Sequence, residues 1–161
     1  MKEIVLGILG NLWALPLNAL VWIYLLILKL KGQIEEIKRG PYLTLVVDLQ
    51  NDAWLCRTQY EEKGWAGNAL GNCAFVIDDD GERWERTVKH ENRHCLQTLL
   101  FGILMPVLYY GASVFIWVFL RALHSYYDNP FETDARKAAG QPAKIPKEKW
   151  MSGSKDRWAW W

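Results

Sequence analysis

Net charge and paired cysteine are the two things this sequence has least of. Its 19 basic and 18 acidic residues leave a formal charge of +1, so no global field draws the chain to nucleic acid. Its three cysteines, Cys56, Cys73 and Cys95, are too few and too odd in number for a disulfide framework, and they fit a reducing compartment. There is no internal repeat, which excludes solenoid and propeller arrays. Charged side chains are missing altogether from residues 4–28 and again from 95–120.

What is present is apolar and unevenly spread. Apolar residues make up 51 % of the 161, ten of them tryptophan. They gather near 4–30 and 96–123, with polar stretches between and after. Such segregation marks a membrane protein rather than a soluble core. A helix over 4–28 is long enough to span a ~30 Å hydrocarbon core with some tilt. Pro16 should kink it, and Asn11 and Asn18 need partners inside it. A cleaved signal peptide fits poorly, because the run is long and no small-x-small site follows. Lys29, Lys31, Lys38 and Arg39 come after the run, against Lys2 before it. The positive-inside rule then places residue 31 onward in the cytoplasm.

After Gly40-Pro41, the stretch 42–50 reads as a strand, 53–60 as its hairpin partner, 61–72 as loop and "CAFVI" (73–77) as a short strand. A helix is predicted from Glu82, capped by the preceding aspartates and running through the histidines towards Pro106. A second apolar helix follows at 112–123. Residues 129–140 read as a short helix, with Asn129 as cap, Pro130 in the first turn and Gly140 closing it.

Two of the three histidines stand four apart in "KHENRHC" (89–95). On a helix, His90 and His94 share a face and can hold one metal at about 2.0–2.1 Å. Glu91, one position round, can reach a water at that metal without becoming a ligand. A catalytic zinc needs a third protein ligand. The candidates are His124, Asp128, Glu132 and Asp134, with Glu132 preferred because it opens a firmly started helix. The competing view of Glu132 is a capping box with Asn129; that of the histidines is a polar helical turn at a membrane surface. Cys95 reads either as a fourth ligand or, more simply, as a buried reduced thiol.

His-Glu-x-x-His followed by a glutamate on a second helix resembles the gluzincin metallopeptidases. The Tyr-rich stretch leading into Asn129-Pro130-Phe131-Glu132-Thr133-Asp134-Ala135 is similar in particular to the small minimal gluzincins, over roughly residues 65–140. The resemblance implies Zn2+ held by His90, His94 and Glu132, with Glu91 as general base. Larger relatives of that class carry an Asp four residues after the ligand Glu, supporting a histidine. Here that position is Arg136, which leaves Asp134 and Asp128 as candidates for the supporting role.

Residues 95–120 are long enough to cross a bilayer, yet a crossing would part His94 from Glu132 by ~30 Å. Gly102, Pro106 and Gly111 favour a turn near 105–111 instead, making a hairpin that dips into the bilayer or packs on the first helix. The expected fold class is therefore an α+β membrane protein. It has an N-terminal transmembrane helix, a small antiparallel sheet, a zinc-motif helix continuing into an apolar hairpin, and a short ligand-bearing helix. The expected divisions are an anchor with its basic flank (1–39), a gluzincin-like unit (40–140, hairpin 95–123) and a Trp-rich irregular tail (141–161). The expected partners are a polypeptide substrate, added as a strand to the "CAFVI" edge, and the lipid bilayer; homo- or hetero-oligomers stay open. The rival functions are a phage-associated or other membrane assembly protein with a structural metal, and a pore-forming lysis protein.

Overall fold

The computed structural model describes residues 2–50, 66–77, 81–121 and 123–145. The uncharged N-terminal run forms two helices, α1 (Lys2–Trp13) and α2 (Leu15–Leu30), which meet at 89°. Pro16 sits in the first turn of α2, where a missing N–H breaks no helical bond. At ~1.5 Å per residue the arms are roughly 18 and 24 Å long, each short of ~30 Å of hydrocarbon. Residues 4–28 thus make a bent pair, a broken span or a re-entrant loop, in place of one continuous kinked helix. Glu82–Phe119 is also long and apolar enough to cross a membrane by length and composition, but it doubles back at Gly102.

The asparagines of the run pair with each other and with Asn72, and Asn18 Oδ1 is left without a partner among the described residues. Asn11 Oδ1 accepts from Asn18 Nδ2 at 3.0 Å and from Asn72 Nδ2 at 2.8 Å. Asn11 Nδ2 donates to the Gly7 carbonyl at 2.8 Å, and Trp22 Nε1 donates to Asn72 Oδ1 at 3.0 Å. A buried amide left unpaired costs ~1–3 kcal/mol, so this cluster fixes the corner against the turn that carries Asn72.

Four strands, β1 (Ile34–Arg39), β2 (Leu45–Leu49), β3 (Gly67–Leu70) and β4 (Cys73–Ile77), form a sheet in the order β1-β2-β4-β3. The outer pairs are antiparallel, but β2 and β4 run parallel. The sheet is therefore mixed, not antiparallel as expected. Parallel neighbours need a long crossover, and the chain between β2 and β3 supplies its length. The hairpin partner expected at 53–60 lies outside the described residues. β1 was read as basic flank and β3 as loop; both are strands.

Alternation along the strands divides the molecule into layers. Val47, Leu49, Cys73 and Phe75 pack against Val21, Leu25 and Leu28 of α2. Asp48, of opposite parity, accepts from Trp84 Nε1 at 3.3 Å on α3 (Glu82–Phe101). The sheet lies between α2 and α3, an arrangement that buries both of its faces.

α3 begins at Glu82 as expected; the aspartates 78–80 expected to cap it lie outside the described residues. It ends at a 3₁₀ turn, Gly102–Leu104, before α4 (Met105–Phe119). The reversal comes earlier than the 105–111 expected, and Pro106 opens α4 instead of ending α3. A straight helix would hold residues 94 and 109 about 22 Å apart. Instead the Tyr109 hydroxyl lies 2.6 Å from Glu132 Oε1, itself 3.2 Å from His94 Nε2. Gly102 makes this fold-back possible. Its φ is +57°, and a Cβ there would lie 2.4 Å from Trp13 Nε1. The last helix, α5 (Pro130–Ala138), follows. Gly102→Ala should lower the apparent melting midpoint in mild detergent, since a left-handed φ alone costs an L-residue ~1–2 kcal/mol. Gly111→Ala, with nothing within 4 Å of its added methyl, should leave the midpoint unchanged or raise it. Equal effects at the two positions would count against Gly102 as the point of reversal.

Candidate metal centre

One turn of α3 presents His90 and His94 side by side, with their Nε2 atoms 3.2 Å apart. Glu132 faces both from the first turn of α5. Its Oε2 lies 3.4 Å from His90 Nε2, and its Oε1 lies 3.2 Å from His94 Nε2. All three residues can place one ligand atom within 4.8 Å of the others. Two ligands bound at ~2.05 Å to one tetrahedral ion would stand ~3.3 Å apart, close to these three separations. The His/His/Glu cluster is therefore geometrically suited to a divalent metal.

Glu132 is 3 % exposed. Burial pushes its carboxyl up, but the contacts and charges of the two imidazoles outweigh burial and hold it below the usual carboxylate range. A buried carboxylate is tolerated only when cations or strong donors meet it. Here the Tyr109 hydroxyl also donates to it, at 2.6 Å.

The helix start that aims Glu132 is local in origin. Asn129 Oδ1 accepts from Phe131 N at 2.9 Å, as a cap should. Its Nδ2 donates to the Tyr109 carbonyl at 3.1 Å and to Ser113 Oγ at 2.8 Å, which ties α5 to α4. The capping-box view of Glu132 fails. The Asn129 N–H goes to the Tyr126 carbonyl instead, at 3.0 Å.

The far nitrogen of each imidazole is held by a glutamine. His94 Nδ1 lies 2.9 Å from Gln97 Oε1, and His90 Nδ1 lies 3.2 Å from Gln141 Oε1. An amide oxygen can only accept, so each Nδ1 carries a proton; once a ring is neutral, as a metal ligand must be, the Nε2 lone pair is the one left for the centre. Gln97 in turn donates to Asp134 Oδ2 at 2.8 Å and to the Phe131 carbonyl at 3.0 Å. Asp134, expected to support a histidine directly, stands one residue further back. Arg93 grips it at 2.6 and 2.9 Å and thereby holds it below the usual carboxylate range. Arg93 thus points away from the cluster, as its position in the motif suggested.

Of the other ligand candidates, none joins the cluster. His124 Nδ1 lies 3.2 and 3.3 Å from the backbone N–H groups of Tyr126 and Tyr127, and Asp128 accepts from the His124 N–H at 2.7 Å. Both shape the turn ahead of Asn129. Cys95 is fully buried and reduced, as its simpler reading held. Arg136 is a staple: it donates to the Tyr127 carbonyl and, at 3.2 Å each, to Thr133 Oγ1 and the Ala143 carbonyl.

Gln141 is the supporting residue the sequence did not disclose. Gly140 takes φ +70° after α5, and Gln141 N–H bonds back to the Arg136 carbonyl at 2.8 Å. That turn brings the start of the presumed tail back to His90. Gln97 carried a clue, since it lies three residues after His94 on the same stripe.

A cleft of about 690 Å³ opens on the cluster. One wall is Gly67–Leu70 of β3, and the floor is Thr87, His90, Glu91 and His94 of α3. The opposite wall is Met105, Pro106, Tyr109 and Tyr110 of α4. Glu91 is buried beside His90; the close approach of β3 depends on Gly67, whose Cβ would lie 3.1 Å from Glu91 Cγ. The expected substrate edge, "CAFVI", is β4. It is paired on both sides, by β2 and β3, so it cannot receive another strand.

No protein-family model, curated protein or solved structure matches the chain. What the fold and the cluster define is a class of site: a buried His/His/Glu set at the base of a cleft, walled by a mixed sheet and a broken apolar helix.

Replacing Gln97 or Gln141 by Ala should weaken binding of cobalt(II), followed by its visible spectrum, by about tenfold each. Undiminished affinity in both variants would deny the glutamines their orienting role.

Proposed function

We propose that the chain is a membrane-anchored, zinc-dependent endopeptidase. The observation that carries this is the convergence of His90, His94 and Glu132 at the foot of an open cleft that also holds Glu91. Two imidazoles and one carboxylate are a ligand set typical of catalytic zinc. Bound there, zinc would supply Lewis acidity, polarising a peptide carbonyl and letting water lose a proton near neutral pH.

The chain's own groups would then do the following. Glu91 takes a proton from the attacking water as the water oxygen bonds to the carbonyl carbon. The C–N bond breaks, and Glu91 returns the proton to the departing amine. One new carboxylate and one new amine result, and no oxidant or further reactant is needed. Gln97 and Gln141 keep the imidazoles in one tautomer, and Tyr109 keeps Glu132 from turning. An extended polypeptide fits lengthwise in the cleft between β3 and α4, which fits an endopeptidase.

The membrane part of the reading rests on the two uncharged runs. We assign the anchor to residues 1–39 and the catalytic unit to 40–140, with the apolar arms around Gly102 entering the bilayer from the side on which the metal centre lies. Basic residues after α2 favour the cytoplasmic side.

The purified 161-residue chain should hold about one zinc. His90→Ala and His94→Ala should each lose it. Glu91→Gln should keep the zinc and lose about 10²–10⁴-fold in peptide cleavage. Cleavage that survives in Glu91→Gln would remove the proposed base, and zinc without cleavage in the wild type would point to an assembly protein with a structural metal. Single cysteines at Glu85 and Ile145 should react with an impermeant thiol reagent from the same side of sealed vesicles. Reaction from opposite sides would place a bilayer between the proposed ligands and end the zinc reading.

A further inference from the structure

The two broken helices meet corner to corner. Gly102, at the α3–α4 reversal, sits against the Trp13 indole at the end of α1, and Gly10 of α1 approaches Leu99 of α3 closely enough that a Cβ would lie 2.7 Å from the Leu99 Cβ. Around this junction the side chains are apolar and uncovered: Leu12 is 63 % exposed, Ile103 56 % and Val107 69 %. No charged residue occurs in 4–28 or 95–120 to interrupt the surface. A contiguous apolar tip of this kind, with Trp13 on it, seats in a bilayer interface.

The cleft shares its wall with that tip. Met105, Pro106 and Tyr110 line the cleft from the first turns of α4, and Leu17 lines it from α2. Yet Val107 and Val114, on the same α4, face outward and uncovered. His94 is eight residues before Gly102 on α3, about 12 Å along the helix. An apolar element at an interface sinks ~5–10 Å. The metal centre then stands about 2–7 Å above the lipid, a height that an extended chain, rising ~3.3 Å per residue, covers in about two residues, so that the bonds in reach lie within about five residues of the bilayer.

Resting on the peptidase reading, we propose that the substrate is a polypeptide anchored in the same bilayer, cut within about five residues of the point where it leaves the hydrocarbon. The cleft receives the juxtamembrane segment from the lipid side, along the wall formed by Met105, Pro106 and Tyr110. The bilayer is then part of the specificity, because it sets which peptide bond stands level with the metal centre.

Two measurements on the full chain test this. In the first, Tyr110→Cys and, separately, Glu85→Cys are labelled with an environment-sensitive fluorophore in a Cys56→Ser background. Each protein is placed in phosphatidylcholine vesicles carrying lipids spin-labelled near the headgroup. Position 110 should be quenched at least twofold and position 85 not at all; equal quenching, or none at either, overturns the placement. In the second, a mixed-sequence segment of about twenty residues is offered either free or fused to a leucine-rich transmembrane helix in the same vesicles, and the cuts are mapped by mass spectrometry. The fused probe should be cut at least tenfold faster, and only within about five residues of the helix. Equal cutting of both probes, or cuts spread along the fused one, overturns the proposal and leaves the peptidase reading standing. No cutting of either probe by zinc-loaded protein overturns both.

Discussion

The contact between Glu132 and the two imidazoles of α3 sets the path of everything between them. The chain leaves His94 along an uncharged helix and has to come back to within 3.2 Å of it. Such a return is open only to a helix that breaks, and Gly102 supplies the break in a backbone conformation costly to other residues. Once α4 is turned back, its Tyr109 and Ser113 become partners for Glu132 and Asn129. The apolar run is therefore structural to the cluster as well as suited to lipid.

The same contact accounts for the polar chemistry buried beneath the cleft. A carboxylate taken out of water is tolerated when several donors or cations meet it at once. Glu132 is met from two helices, and the donors are themselves held. Each imidazole leans on a glutamine; one glutamine leans on Asp134, and Asp134 on Arg93. Apart from the His94–Gln97 contact within α3, each link joins α3 to α5 or to the turn after it, so the ligand geometry and the packing of these two helices stand or fall together.

How far the sequence disclosed this depended on how local each signal was. Asn129, Pro130 and Gly140 marked α5 well because caps and first turns are decided within a few residues. That His90 and His94 share a face was legible by helical spacing, and that Glu132 meets them by its place in that well-marked helix. β1 was not, because "IEEIKR" (34–39) is charged and exposed on most of its positions and reads like a flank. β3 was not, because "GNAL" (67–70) has the composition of a loop; it is a strand through pairing with β4. Pro16 announced a break, but the 89° corner is set by Asn11, Asn18 and Asn72, two helices and a distant turn acting together. Gln141 was hidden for a like reason, since its partner lies on another helix far back in the chain.

The face of α2 that meets the sheet carries a consequence for how this molecule can be handled. Val21, Leu25 and Leu28 cover Val47, Leu49 and Phe75, while Asn72 finds its partners on α1 and α2. A chain shorn of these helices would show water the inner face of its sheet and an orphaned amide at its turn. What by composition looks like a separate anchor is one of the three layers. Trimming it away would leave an aggregating fragment, not a soluble domain.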